Sequence, residues 1–150
     1  MPAAALTRPG PADLVGRWRL VRRVADRAAG AQGTVTGLLT VSADGAGFRW
    51  DEHGTLVWAG VEHPVSRTYL LRERAGGWWV DFEDGRSFHP WRPGAPVTHP
   101  CRADVYSGLI TVDADRIRTV WDVRGPGKHQ RLVTRLYRSA AIDSGVSVGS

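Results

Sequence analysis

The sequence predicts an all-β protein, a closed antiparallel up-and-down β-barrel of eight to ten strands, and three observations predict it. Segment after segment alternates apolar and polar residues with period two, the pattern of a strand with one wet face. Gly, Asp and Pro punctuate those segments at hairpin spacing. No window of ten or more positions carries apolar residues at helical spacing, apart from a turn around Ala12 to Val15. Such a succession must deal with its edges, and closure removes them. Eight strands already leave an interior able to hold one small ligand, and more strands leave more room. A sandwich would need long crossovers, and only the connector around Pro93 has the length of one.

The elements follow in order. The stretch GRWRLVRRVAD puts Trp18, Leu20 and Val24 on one parity, with arginines mainly on the other. TVTGLLTVS comes next, with a bulge or bend expected at Gly37. GFRWDEHGTLVWAG reads as a hairpin turning at His53-Gly54, and RTYLLRERAGGWWVDFEDG as one turning at Gly76-Gly77. DGRSFH continues after Asp84-Gly85, and a proline-rich connector runs from Pro90 to Pro100. ADVYSGLITVD, DRIRTVWDV and QRLVTRLYR close the series, joined by turns at Asp113 to Asp115 and at RGPGK.

At 150 residues and 42% hydrophobic content the chain makes one domain, placed at residues 13–138, with loose tails at 1–12 (Ala/Pro-rich) and 139–150 (Ser/Gly/Ala-rich). Its apolar runs are far shorter than the roughly 18 residues of a membrane span, and the first residues lack a secretory pattern, so a cytoplasmic protein without a membrane partner is expected. Cys101 is the single cysteine, which suits a reducing compartment and leaves only thiol chemistry. The net charge of +5 comes almost wholly from arginine, since Lys128 is the only lysine. Those arginines alternate with apolar residues and form no run longer than Arg22-Arg23. Alternation of that kind reads as a solvated outer surface, with no nucleic-acid partner.

Gly16-x-Trp18 at the start of the first strand, with Arg135 or Arg138 in the last, resembles the calycin arrangement of lipocalins and fatty-acid-binding proteins. The resemblance implies an arginine packed over the first-strand tryptophan to close the barrel floor. More specifically, RTYLL, VDFEDGRSFH, HPCRADVYSG and WDVRGPGK together resemble the uncharacterised family DUF6314, over about residues 14 to 138. That resemblance implies a lipocalin-like barrel and no settled activity. Where the family often carries an Asp-Tyr pair after the lysine of its Gly-Pro-x-Lys turn, this chain has His129-Gln130.

The stretch RSFHPWRPGAPVTHPCRADVY concentrates the candidate chemistry. His89, His99, Cys101 and Asp104 are of metal-ligand type, but only His99 and Cys101 are close, and Pro100 stands between them, so no metal site is expected. Cys101 as a nucleophile would need His99 or Arg102 as the cation that activates it, and no hydrolase motif surrounds it. Parity favours a third reading. Asp104, Tyr106, Gly108 and Ile110 share one face, as do Ile117, Thr119, Trp121 and Val123. Phe82, Asp84 and Arg86 share another, and Arg67 goes with Tyr69 and Leu71. Charges placed inside require partners, so Arg67, Asp84, Arg86 and Asp104 imply internal ion pairs or a polar ligand group that completes them. Trp50, Trp58, Trp79 and Trp121 are candidates for flat apolar wall.

The expected function is to bind a largely apolar or aromatic small molecule with one acidic or carbonyl group. The residues expected to hold it are Arg67, Tyr69, Asp84 and Arg86, with Cys101, Trp121 and Lys128. The alternative is a cofactor-free isomerase, cyclase or dehydratase in the same cavity, with His89 or Asp104 as base and Tyr106 or His99 as acid. No nucleotide-binding glycine pattern is present and nothing selects a histidine for haem, so no cofactor is expected. The partner is a small molecule, with a homodimer left open.

Overall fold

The computed structural model describes residues 9–139. A single turn of 3-10 helix (Pro11–Leu14) leads into ten antiparallel strands: β1 (Gly16–Asp26), β2 (Ala31–Asp44), β3 (Gly47–Trp58), β4 (Val61–Arg74), β5 (Gly77–Phe82), β6 (Ser87–Pro90), β7 (Val97–Cys101), β8 (Asp104–Val112), β9 (Arg116–Gly125) and β10 (Lys128–Arg138). Each strand pairs with its neighbour in sequence, except that β1 pairs with β10 and the ladder is open between β6 and β7. The result is the expected up-and-down barrel, nearly closed. Side chains bridge the open seam, with the Phe88 and His99 rings edge to face at 5.2 Å. Pro100 is tolerated in β7 because that strand is a sheet edge. The connector is shorter than the sequence suggested, since β7 takes its last residues, and Gly94 N–H anchors it to the Ile110 carbonyl (2.7 Å).

The expected turn at His53-Gly54 is absent. β3 runs straight through it, with His53 opposite Leu38 and Ser66, and the chain reverses at Ala59-Gly60 instead. Gly37 and Gly54 are direct cross-strand partners, and a Cβ on Gly37 would run into the His53 carbonyl. These glycines serve a close strand approach, which in sequence looks the same as a turn. The register is continuous there, so Gly37 marks no bulge.

The floor of the barrel is apolar, and its Trp18 and Arg138 donors are hydrogen-bonded. Trp18 is 0% exposed, packed among Leu20, Leu39, Ile117 and Leu136, and its indole N–H donates to the Leu14 carbonyl (2.9 Å). Of the two arginines considered for the floor, Arg138 fills the role, its guanidinium 4.2 Å from the Trp18 ring centre. It donates to the carbonyls of Ala114, Val15 and Asp13. Gly16 adopts φ +137°, and a Cβ there would stand 3.2 Å from that guanidinium, which accounts for the glycine two residues before the tryptophan. Arg135 points outward. Residues 9–12, assigned above to a loose tail, include the buried Pro11, and the Pro9 carbonyl accepts from the Trp91 indole (3.2 Å). The rest of that tail and residues 140–150 lie outside the described residues. Among the described residues, no helix is long and apolar enough to cross a membrane.

Candidate functional site

β1 and β3 change character at the same height. On β1 the inward positions are Trp18, Leu20 and then Arg22; on β3 they are Phe48, Trp50 and then Glu52. Register places Glu52 directly opposite Arg67 of β4 and Arg22 directly opposite Thr134 of β10. The side chains meet inside the barrel. Arg22 donates through Nη2 to Glu52 Oε1 (2.8 Å) and through Nε to Thr134 Oγ1 (2.7 Å). The Trp50 indole donates to Glu52 Oε2 (2.9 Å), and Arg67 Nε donates to Glu52 Oε1 (3.3 Å).

One carboxylate is therefore shared by two guanidinium groups. Burial pushes the Glu52 carboxyl up, but Arg67, Arg22 and the Trp50 N–H outweigh it and hold the group below the usual carboxylate range. Burial, reinforced by the like charge of Arg67, lowers Arg22 from its ordinary value. Arginine remains protonated even so, and the layer carries one positive charge more than it neutralises. Arg67 is the member with capacity to spare. Its side chain is 35% accessible, against 7% for Glu52, and its guanidinium lies 5.5 Å from the Tyr69 ring centre. Burial holds the Tyr69 phenol up, hence neutral at ordinary pH.

Arg67 stands where the internal spaces join. Toward the mouth is a cavity of about 320 Å³, walled by Tyr69, Phe82, Phe88, Tyr106 and Trp121. Beneath β1 to β4 is a second lobe of about 240 Å³, lined by Leu20, Val24, Val35, Leu56 and Val65 with Arg22 and Glu52. A third, of only about 40 Å³, lies toward the floor against His89, Trp91 and Thr119. Arg67 borders all three. The aromatic wall is internally packed: Phe88 stacks on Trp121 at 5.0 Å and on Tyr69 at 5.7 Å, and the Trp121 ring lies flat over Gly108, where a Cβ would clash.

The candidate residues divide by position. Arg67, Tyr69, His99, Tyr106 and Trp121 border the upper cavity, with Cys101 and Arg86 on its exposed rim. His89 is buried lower down, its Nδ1–H donating to the Pro90 carbonyl (2.8 Å), and burial lowers its pKa, so the ring is neutral. Three candidates lie away from the cavity. Asp84 is spent on the turn it shares with Arg86, accepting from that residue's backbone N–H and Nε in an exposed pair. Asp104 has inward parity but sits at the lip, over Gly125 and 3.6 Å from Lys128, which takes Lys128 away from the cavity as well. The internal network expected of Arg86, Asp84 and Asp104 is thus replaced by Arg22, Glu52 and Arg67. Trp79 also faces outward, against Arg74. Among the described residues, no group of three or more His, Cys, Asp or Glu side chains converges as a metal site.

Arg22 and Glu52 escaped the sequence reading, although parity carried the signal. Arg22 follows Trp18 and Leu20 in steps of two and precedes Val24, and Glu52 follows Phe48 and Trp50 in the same way. A charge in phase with the buried positions marks an internal polar layer.

The comparisons with known proteins agree with this architecture. Residues 14–138 match the model of a family described as a family of unknown function, DUF6314. No curated protein matches the chain. Among solved structures, the fold is similar to the S-type phycobiliprotein lyase CPES from Guillardia theta, with a TM-score of 0.62 and 11% identity, covering 86% of this chain and 90% of that one. At that identity the likeness is one of fold.

Proposed function

The chain belongs to the DUF6314 family, whose description assigns no activity, and from its interior we propose a barrel that binds a small, largely apolar or aromatic molecule bearing one acidic group. The observation that carries this reading is the charge imbalance at Arg67. Two internal guanidiniums, buried Arg22 and half-open Arg67, share one carboxylate, and Arg67 faces an aromatic-walled space of about 320 Å³. A carboxylate there would complete the layer's charge, accept bidentate N–H donation and lay its apolar body against Phe82, Tyr106 and Trp121. A carbonyl ligand would be held by the same donors, more weakly. The likeness to a phycobiliprotein lyase supports the barrel shape on which this reading rests.

Catalysis in the same space has less support. The neutral His89 borders the floor-side lobe, whereas Tyr106 and His99 border the upper cavity, and Asp104 is held at the lip by Lys128. An acid and a base must reach one bound atom, and these face different lobes. The test is a pair of shape-matched probes, 2-naphthoate and 2-naphthamide, titrated against tryptophan fluorescence. The acid should bind at least about tenfold tighter, or 1.4 kcal/mol, and Arg67→Gln should abolish that preference while the amide binds as before. Equal affinity of the two probes for the unaltered protein would overturn the proposal.

A further inference from the structure

The outer surface of the barrel is electrically lopsided. On β3 to β6 each outward arginine already holds a carboxylate: Arg49 binds Asp51 and Glu83, Arg72 binds Asp44, and Arg74 binds Asp81. On β1, β9 and β10 the situation reverses. Arg19, Arg23, Arg116, Arg118, Arg124 and Arg135 are all exposed, and among the described residues none of them forms an ion pair. The only acidic side chain among the outward strand positions of that face is Asp122, and Arg131 occupies it.

Register turns these single arginines into a surface. Crossing the sheet, one row reads Arg19, Tyr137, Arg116; the next Val21, Arg135, Arg118, Thr111; the next Arg23, Val133, Val120, Leu109. Neighbouring strands stand roughly 4.8 Å apart and alternate residues along a strand roughly 6.7 Å, so Arg23, Arg118 and Arg135 flank a half-buried apolar strip of Val120, Val133 and Leu109. Arg135 and Arg118 are direct cross-strand partners. Like charges in that arrangement destabilise a sheet, and no carboxylate within the described residues relieves them.

We infer that the outer face of β8, β9, β10 and β1 is a docking surface for an acidic protein. Charge complementarity fixes the sign of the partner, and the apolar strip fixes its class. Protein interfaces are enriched in arginine and tyrosine relative to the rest of the surface and have a more apolar centre within a polar rim, and this face combines those features. Nucleic-acid phosphates would leave the strip unused, and an anionic membrane would need apolar side chains that protrude beyond the arginines. A second copy of this chain meeting this face with the same face would bring the same unpaired cations together, and like charges so juxtaposed are costly.

The test measures binding of a synthetic amphipathic helix with glutamates flanking a leucine stripe, beside three controls: the same helix with serine for leucine, a short DNA duplex, and vesicles containing phosphatidylserine. At physiological ionic strength, where screening acts over about 8 Å, the leucine helix should bind the unaltered protein at least about tenfold tighter than each control. Arg135→Glu should cut that affinity about tenfold yet raise the thermal midpoint, because it converts the Arg135 and Arg118 repulsion into an attraction. Binding of 2-naphthoate in the cavity should stay unchanged in that variant, which separates this result from the fate of the cavity proposal. DNA or vesicles binding as tightly as the helix, or a helix affinity indifferent to Arg135→Glu, would overturn the inference.

Discussion

The floor and the middle of this barrel are built by the same strands with the same inward parity, yet they treat polar groups in opposite ways. At the floor, the Trp18 indole and the Arg138 guanidinium donate to backbone carbonyls that would otherwise be unpaired, and the rest is hydrocarbon. Four residues further along β1, Arg22, Glu52 and Arg67 bond mainly to one another, with Thr134 and Trp50 beside them, and leave charge over. A polar group satisfied by backbone fixes the chain in place. One satisfied by a single shared carboxylate leaves the Arg67 guanidinium open to something from outside.

The largest effect should come from breaking the floor. Trp18→Ala removes a fully buried indole, its hydrogen bond and the platform under Arg138. Such a change typically costs about 3 to 5 kcal/mol against a total stability of roughly 5 to 15. Urea unfolding should show the midpoint collapse, equally at neutral and at mildly acid pH, because no titrating group is involved. A loss under about 1 kcal/mol would mean that the floor does not carry the fold.

Breaking the middle layer should cost less and depend on pH. Glu52→Gln leaves Arg22 buried without its carboxylate, and breaking a buried pair typically costs about 3 kcal/mol or more; the access Arg67 has to solvent argues for that lower end. The sign follows from the carboxyl being held below its unfolded value. The unfolded chain takes up the proton first as pH falls, so the stabilisation is complete above the ordinary carboxylate pKa, about 4.3, and fades below it toward the lower folded value. The difference in urea midpoint between parent and variant should therefore be constant from pH 7 to about 5 and shrink on further acidification. A gap that does not change with pH would detach Glu52 from this role.

Much of this contrast was legible from residues alone, and the misses share a physical cause. Period two gave the strands and placed Tyr69, Tyr106 and Trp121 inside, because parity survives any barrel geometry. The calycin resemblance carried by Gly16-x-Trp18 and a late arginine implied where the floor lies. What parity does not report is height along the barrel axis. Asp104 has inward parity but stands at the lip, where Lys128 reaches it, and Asp84 lies in a turn where alternation no longer applies. The misplaced turn at His53-Gly54 had the further consequence of cutting β3 short beside Glu52, separating it from Arg67, its partner across the ladder. Arg22 was passed over within a run of arginines whose other members face out. Each of these errors concerns where a side chain sits in the third dimension of the barrel, which depends on register between strands distant in sequence.

The smallest expected effect gives the finest comparison, that of rim with middle layer. Arg86 and Arg67 both border the upper cavity, but the Arg86 side chain is 72% exposed, pairs with Asp84 two residues away and lies 5.2 Å from the Phe82 ring centre. A pair so solvated adds little to stability, and salt screens it further. Arg86→Ala should leave the urea midpoint unchanged and weaken 2-naphthoate by less than about threefold, with the residual effect vanishing in high salt as expected of an attraction acting through water. The same titration on Arg67→Gln should show the full loss of acid preference at every salt concentration, because the variant removes the charge itself. If Arg86→Ala proves the more damaging of the two, the ligand's acidic group rests at the rim, and the Arg22, Glu52 and Arg67 layer is a structural feature of the barrel.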